Sequence, residues 1–370
     1  MRLSSTVLCL AASLGFFCAP GANGTAATVN TWGGGQTNLF TNLTNVTALA
    51  CSIDHTLALQ TGGTVVAWGY DIDGECDVPA GLSNITAVAA GDFFSLALSS
   101  NGTVIAWGTD DSGQCDIPAG LTNVVAISAG HAHALALESN GAVVAWGSDV
   151  WCQTNVPPGV QSPKSILAAG NFSLALMPGG SLIAWGLNDS GQTNVPSDLS
   201  NVVAMAANEG YALALTSNGT ITAWGAYPSL PVGLSNVIGI AAGEYHSLAL
   251  ESGGTVVAWG ANQSGERVVP SGLTGVSALA AGWSYSAALF NTNAVIFPGV
   301  ILLLNPTWAG NNFTVSFASQ NGVTYTLEYK EKLDANTWTG LTPMAGNGVA
   351  MTVTDANATN PQRFYRISGQ

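Results

Sequence analysis

Four histidines and a surplus of acids are the residues of this chain that could do chemistry. His131-Ala132-His133 offers two imidazoles to a metal if both face one side of a strand, as alternate residues do. No third ligand accompanies them in sequence, and the turn at Gly130 breaks the geometry. Asp71-Ile72-Asp73-Gly74-Glu75 and Asp110-Asp111-Ser112-Gly113 look like the start of an acidic calcium loop, without the further spaced oxygens and bidentate acid that such a loop needs. Asn188-Asp189-Ser190-Gly191 and Asn262-Gln263-Ser264-Gly265 occupy the same loop elsewhere, so the position asks chiefly for a turn. Glycoside chemistry needs two carboxylates at a defined separation, and the acids could supply them. There is no Ser-His-Asp grouping, no phosphate loop and almost no cation to stabilise an anion. The residues therefore argue for no catalytic group, no cofactor and no metal.

The histidines point instead to a repeat. His55, His133 and His246 each precede a Leu-Ala-Leu strand at one repeat position, which selects them for packing or turn hydrogen bonds. Tryptophan followed by glycine recurs at Trp32, Trp68, Trp107, Trp146, Trp185, Trp224 and Trp259, with spacings of 36, 39, 39, 39, 39 and 35 residues. Each unit reads as an apolar strand ending in Ala-Ala-Gly, a strand of the type His-Ser-Leu-Ala-Leu, a glycine turn, Thr-Val-Val-Ala-Trp-Gly, and a polar loop. Asn101-Gly102, Asn140-Gly141 and Asn218-Gly219 supply two-residue hairpin turns. Three or four short strands cannot bury both faces alone, so the units must stack, and radial closure into blades leaves only short edges.

Closure has its own signal. Val29-Asn30-Thr31-Trp32-Gly33 lacks preceding strands, and the last unit, at Ala281-Gly282-Trp283-Ser284-Tyr285, lacks a Trp-Gly strand, so the two can complete one blade. Val66-Ala67-Trp68-Gly69, Gly191-Gln192-Thr193-Asn194-Val195-Pro196 and Ala242-Gly243-Glu244-Tyr245-His246-Ser247-Leu248 resemble the repeats of the regulator of chromosome condensation superfamily. In style they are closest to its secreted bacterial branch, which includes propeller-type β-lactamase inhibitors. The resemblance implies an all-β fold, a seven-bladed β-propeller over residues 28–299. For the secreted branch it implies that partners are bound by the loops that follow the Ala-Gly turns.

Beyond Pro298 the period stops. Phe313–Phe317, Tyr325–Tyr329 and Arg363–Ile367 alternate as half-buried strands, so residues 300–370 read as a small C-terminal β-sandwich-like domain. Residues 1–22 read as a secretory signal peptide: Arg2, an apolar run, then small residues near Ala22. Secretion or a cell-envelope location is the expectation. No later stretch spans a bilayer, because Val295 to Leu304 is about half the ~20 residues a helix needs. Cys51, Cys76, Cys115 and Cys152 remain after the signal, and an oxidising compartment permits disulfides without requiring them.

Between Thr28 and Gly299 seventeen acids face only Lys164 and Arg267, a net of −15. A phosphate backbone must be neutralised by Lys and Arg, so nucleic acid is excluded as a partner and a basic or polar surface is favoured. After the Ala-Gly turns the repeats diverge, with large side chains at one place on a fixed scaffold. Asp92, Phe93, Phe94, Phe172, Tyr245, Trp283 and Tyr285, with Trp151 in the adjoining loop, are the expected partner-binding residues. The expectation is a monomeric, non-enzymatic recognition module binding a protein or a cell-surface polysaccharide. A carbohydrate-active enzyme with a carboxylate pair in the propeller mouth, and a structural envelope component, are the alternatives.

Overall fold

Each repeat builds one antiparallel three-stranded sheet, and seven such sheets follow one another along the first part of the chain. The computed structural model describes residues 27–34, 43–53, 55–226, 229–273 and 275–291. In the C-terminal part it describes 304–309, 312–318, 324–331, 337, 339–345, 350–356 and 364–369. The expected signal segment, and the apolar run from Val295 as far as residue 303, lie outside these residues. Among the described residues no helix is long and apolar enough to cross a membrane.

The inner strands are Val46–Cys51, Ile85–Ala90, Val124–Ala129, Ser165–Ala169, Val202–Asn208, Val237–Ala242 and Val276–Ala281. Each touches the next, and the last touches the first, so the ring closes. Alanines dominate these strands because blades meet closely here: Ala50, Ala90, Ala129, Ala169, Ala207 and Ala281 are 0 or 1% exposed. The middle strands begin at His55, Phe94, His133, Phe172, Tyr211, His246 and Tyr285, and the outer strands carry the Trp-Gly pairs.

The seventh blade is composite. Ala27–Gly33 pairs with Tyr285–Asn291, which pairs with Val276–Ala281. The N-terminal strand thus supplies the Trp-Gly strand that the last repeat lacks. Trp32 is 5% exposed, and its Nε1 donates to the Glu266 carbonyl at 2.9 Å.

That bond repeats around the ring. Trp107, Trp146, Trp185 and Trp224 donate at 2.9 Å to the carbonyls of Glu75, Gln114, Gln153 and Gln192 in the preceding loop. The side chains of these acceptors turn inward and accept loop N–H groups, as Gln114 Oε1 does from Ser112 at 2.8 Å. The first acid or amide of each loop caps it from the other side. Asp71, Asp110, Asp149, Asn188 and Asn262 each accept the N–H five residues on. The calcium-like acids at 71 and 110 are therefore spent on backbone capping.

All four described cysteines are free thiols. Cys76 and Cys115, at equivalent positions, donate to the Tyr70 and Thr109 carbonyls at 3.3 Å. Burial and neighbouring carboxylates push the Cys115 thiol up to about 11. Cys152 takes the place of Gly113 and Gly191 and adopts φ 61°, the left-handed region that a Cβ disfavours. Cys152→Gly should raise stability by up to about 1 kcal/mol, read as a higher urea midpoint.

The strands from Leu304 on form a second unit. Leu304–Ala309, Asn312–Ala318 and Ala350–Asp355 make one sheet; Thr324–Lys330 is the centre of the other, with Phe364–Gly369 beside it. Val315 and Val353 of the first sheet share a buried cluster with Tyr325 and Leu327 of the second, a small two-sheet core.

Candidate functional site

Inner strands run toward the Ala-Gly turns, and outer strands end on the same side. Residues following the Trp-Gly pairs bond back to those turns, as Thr109 N–H does to the Phe93 carbonyl at 2.8 Å and Ala261 to Tyr245 at 2.7 Å. One face of the ring therefore carries both loop classes.

Four of the expected partner-binding aromatics stand on this face. Tyr245 is 46% exposed, Trp283 44% and Trp151 49%. Phe93 is half-buried, its ring edge-on to His131 with centroids 6.3 Å apart. Tyr70, at 46%, and Ile72, at 69%, join them from the loop before Glu75, and sequence reasoning missed both. Asp92 is present but only 9% exposed.

Phe94, Phe172 and Tyr285 are not on the face. They are 0, 0 and 1% exposed. Each is the first residue of a middle strand, the position of His55, His133, Tyr211 and His246, and its ring points between blades. The turn glycine makes the room: a Cβ on Gly91 would lie 2.0 Å from Phe94 Cε1, and one on Gly282 would lie 2.2 Å from Tyr285 Cε1.

This first position pairs with the second residue of the next blade's middle strand. His55, His133 and His246 place Nε2 at 2.9, 3.0 and 2.9 Å from Ser95, Ser173 and Ser286 Oγ. Each serine hydroxyl donates onward to the loop carbonyl of Glu75, Gln153 or Glu266. Its one proton is thereby used, so the histidine must donate and Nε2 carries the hydrogen. Tyr211 donates to the His246 carbonyl at 2.7 Å and meets Ser247 Oγ at 2.9 Å; Tyr285 meets Thr56 Oγ1 at 2.8 Å. Phe94 and Phe172, which cannot hydrogen-bond, share their clusters with Ala134 and Ala212. All seven junctions match polar with hydroxyl or Phe with Ala.

Nδ1 of His55, His133 and His246 is buried without a partner. A second ring proton would have no acceptor, and burial lowers these histidines to about 4, 3 and 4. They are structural, and His133 is not available to share a ligand with His131. His131 itself hydrogen-bonds Asp92, which raises its pKa. Glu209, a residue the sequence did not single out, lies close to both. Burial and the carboxylate of Asp92 raise its pKa.

The junction between Trp224 and Trp259, where the spacing falls to 35, has no Glu or Gln loop. Trp259 is half-buried there, and among the described residues no loop carbonyl accepts its Nε1. A cleft of about 670 Å³ opens instead, lined by Tyr211, Leu230, Pro231, Tyr245, Ser247 and Trp259. The shortened spacing was the visible signal for it. Tyr245, as exposed as Tyr70, thus stands at the edge of this cleft.

The regulator of chromosome condensation (RCC1) repeat matches residues 85–114, 124–150 and 237–266. No curated protein matches the chain in sequence. Among solved structures, Prp20p of Saccharomyces cerevisiae, described with its binding properties to Gsp1p and histones, is 19% identical with a TM-score of 0.57. That match covers 72% of this chain and 92% of that one. Yeast RCC1 (Prp20) bound by Kap60 gives 20% identity and a TM-score of 0.58 over 72% and 89% of the two chains. Human WBSCR16 gives 19% and 0.56 over 66% and 86%. The chain thus carries RCC1 repeats at residues 85–114, 124–150 and 237–266, and its seven three-stranded blades, closed by the N-terminal strand, have the propeller fold of these solved structures.

Proposed function

We propose that this protein is a secreted, non-enzymatic recognition module that binds a protein partner through the turn face of the propeller. The observation that carries the reading is the presence of exposed Tyr245, Trp283, Trp151 and Tyr70 on one face, with Tyr245 lining the cleft that Trp259 also lines. Large aromatics at the edge of a concave apolar surface are the side chains on which binding energy concentrates. Singly they would be unremarkable on a protein surface; gathered on the loop face of a rigid scaffold they form a contact surface. The propeller's net charge of −15 steers basic partners toward it and repels acidic ones. Yeast Prp20, a propeller of the same fold, is described with its binding to Gsp1p and histones and in complex with Kap60, which supports a protein partner over a polysaccharide.

The test is surface plasmon resonance of the immobilised full chain against a panel of cell-envelope proteins and polysaccharides. A saturable protein partner is expected, and Tyr245→Ala or Trp283→Ala should weaken it by about 30-fold, the equivalent of a 2 kcal/mol hot spot. Binding of a polysaccharide alone, or protein binding indifferent to both substitutions, would remove the reading.

A further inference from the structure

Asp92, His131 and Glu209 are 39 and 78 residues apart and belong to the turns of three blades. The blade between His131 and Glu209 has a shorter turn, Ala169-Gly170-Asn171-Phe172, against Ala129-Gly130-His131-Ala132-His133. Gly170 adopts φ +47°, and a Cβ there would lie 2.7 Å from Glu209 Cα. The missing residue and the missing Cβ let Glu209 settle against the neighbouring turn. Backbone bonds hold the other two turns: Asp92 N–H to the His131 carbonyl, and His131 N–H to the Gly170 carbonyl at 2.8 Å. One nitrogen of His131 and one carboxylate oxygen from each acid then lie within 4.8 Å of one another.

We propose that Asp92, His131 and Glu209 form a binding site for a divalent transition ion of the zinc class. One imidazole and two carboxylates supply a mixed nitrogen and oxygen set, and their two negative charges neutralise a divalent ion. At bond lengths of about 2.0–2.2 Å the three ligand atoms would stand roughly 3–3.5 Å apart. Half-buried Glu209 can close the remaining distance by a rotamer change, while buried Asp92 is already fixed on His131. Calcium asks for about six to eight oxygens, which two carboxylates do not provide. Three protein ligands leave at least one position of a tetrahedral ion open, toward water or a partner's side chain. The inference stands on the cluster's own geometry and is independent of the recognition reading.

The experiment is calorimetric titration of Zn²⁺ into the full chain after chelator treatment, with Co²⁺ absorption as a ligand-type probe. One saturable site per chain is expected. His131→Ala and Glu209→Gln should each weaken it by more than the roughly 10- to 100-fold that loss of an outer-shell partner costs. Asp189→Asn removes a neighbouring negative charge without touching the ligand set and should weaken binding far less than either ligand substitution. The Co²⁺ complex should show no thiolate charge-transfer band, and Zn²⁺ should raise the unfolding midpoint of the parent chain but not that of Glu209→Gln. Absence of saturable binding, equal affinity in the ligand variants, or a thiolate band would overturn the proposal, the last by moving the ion to the cysteines.

Discussion

Trp32→Ala should lower the stability of the propeller by about 3–5 kcal/mol, against about 1–2 kcal/mol for Trp259→Ala, when urea midpoints of the two variants are compared. Both residues hold the same repeat position. Trp32 is 5% exposed, packs in the seam blade and donates to the Glu266 carbonyl, so its removal leaves a cavity and takes away one of that carbonyl's two donors, Ser286 Oγ remaining. Trp259 is half-buried over a cleft and loses less on truncation. The asymmetry is larger than packing alone suggests, because Ala27–Gly33 reaches its blade only by pairing with Tyr285–Asn291. Loosening that strand bares the edge of a middle strand and opens the ring at its one non-sequential joint. Loss of the parent midpoint should therefore be accompanied by concentration-dependent association in Trp32→Ala and not in Trp259→Ala. Equal losses in the two variants would contradict closure by the N-terminal strand.

Stability should also fall steeply as pH drops from about 6.5 toward 4. Burial lowers the folded-state pKa of His55 to about 4, of His133 to about 3 and of His246 to about 4, from an ordinary value of 6.5. The neutral rings are favoured on folding, so their contribution is complete above 6.5 and is lost as pH falls through the folded values. Each contributes about 1.4 kcal/mol per pH unit in that window. Three together amount to roughly 6 kcal/mol by pH 5, comparable to the whole stability of an ordinary domain. The ring itself names the replacement that removes the effect. Phe94 over Ala134 and Phe172 over Ala212 already occupy the equivalent junctions. The chain carrying His55→Phe with Ser95→Ala and His246→Phe with Ser286→Ala should stay folded at neutral pH and lose about two thirds of the acid slope in urea titrations at pH 7, 6 and 5. An unchanged slope would place the acid sensitivity in the carboxylates instead.

The blade was legible in the sequence because one pattern is written seven times, and Trp-Gly spacing, Asn-Gly hairpins and alternating apolar strands each point to the same unit. The composite blade was legible from two incomplete ends that fit each other. The face was half legible. Aligning the repeats on the Ala-Gly turn put Phe94, Phe172 and Tyr285 among loop residues; aligning them on the strand that follows, Ser-Leu-Ala-Leu after Phe94 and Phe172 as Thr-Leu-Ala-Leu after His55, puts them in the buried position where they stand. The pairing of His with Ser and Phe with Ala was also present in the sequence. It becomes visible only when each residue is compared with the next repeat rather than its own. The meeting of Asp92, His131 and Glu209 was not legible, because it depends on a turn one residue short at Gly170 and on which turns converge across the ring.

Once a partner is in hand, the direct measurement is its dissociation rate from three chains: the parent, the double variant Tyr245→Ala with Trp283→Ala, and Val125→Ser. Val125 is 54% exposed near the start of its inner strand, at the end away from the Ala-Gly turns. With partners bound at the turn face, dissociation should be at least about 30-fold faster from the double variant and unchanged from Val125→Ser. Faster release from Val125→Ser, with the double variant behaving as the parent, would place the partner on the opposite face and contradict binding at the turns.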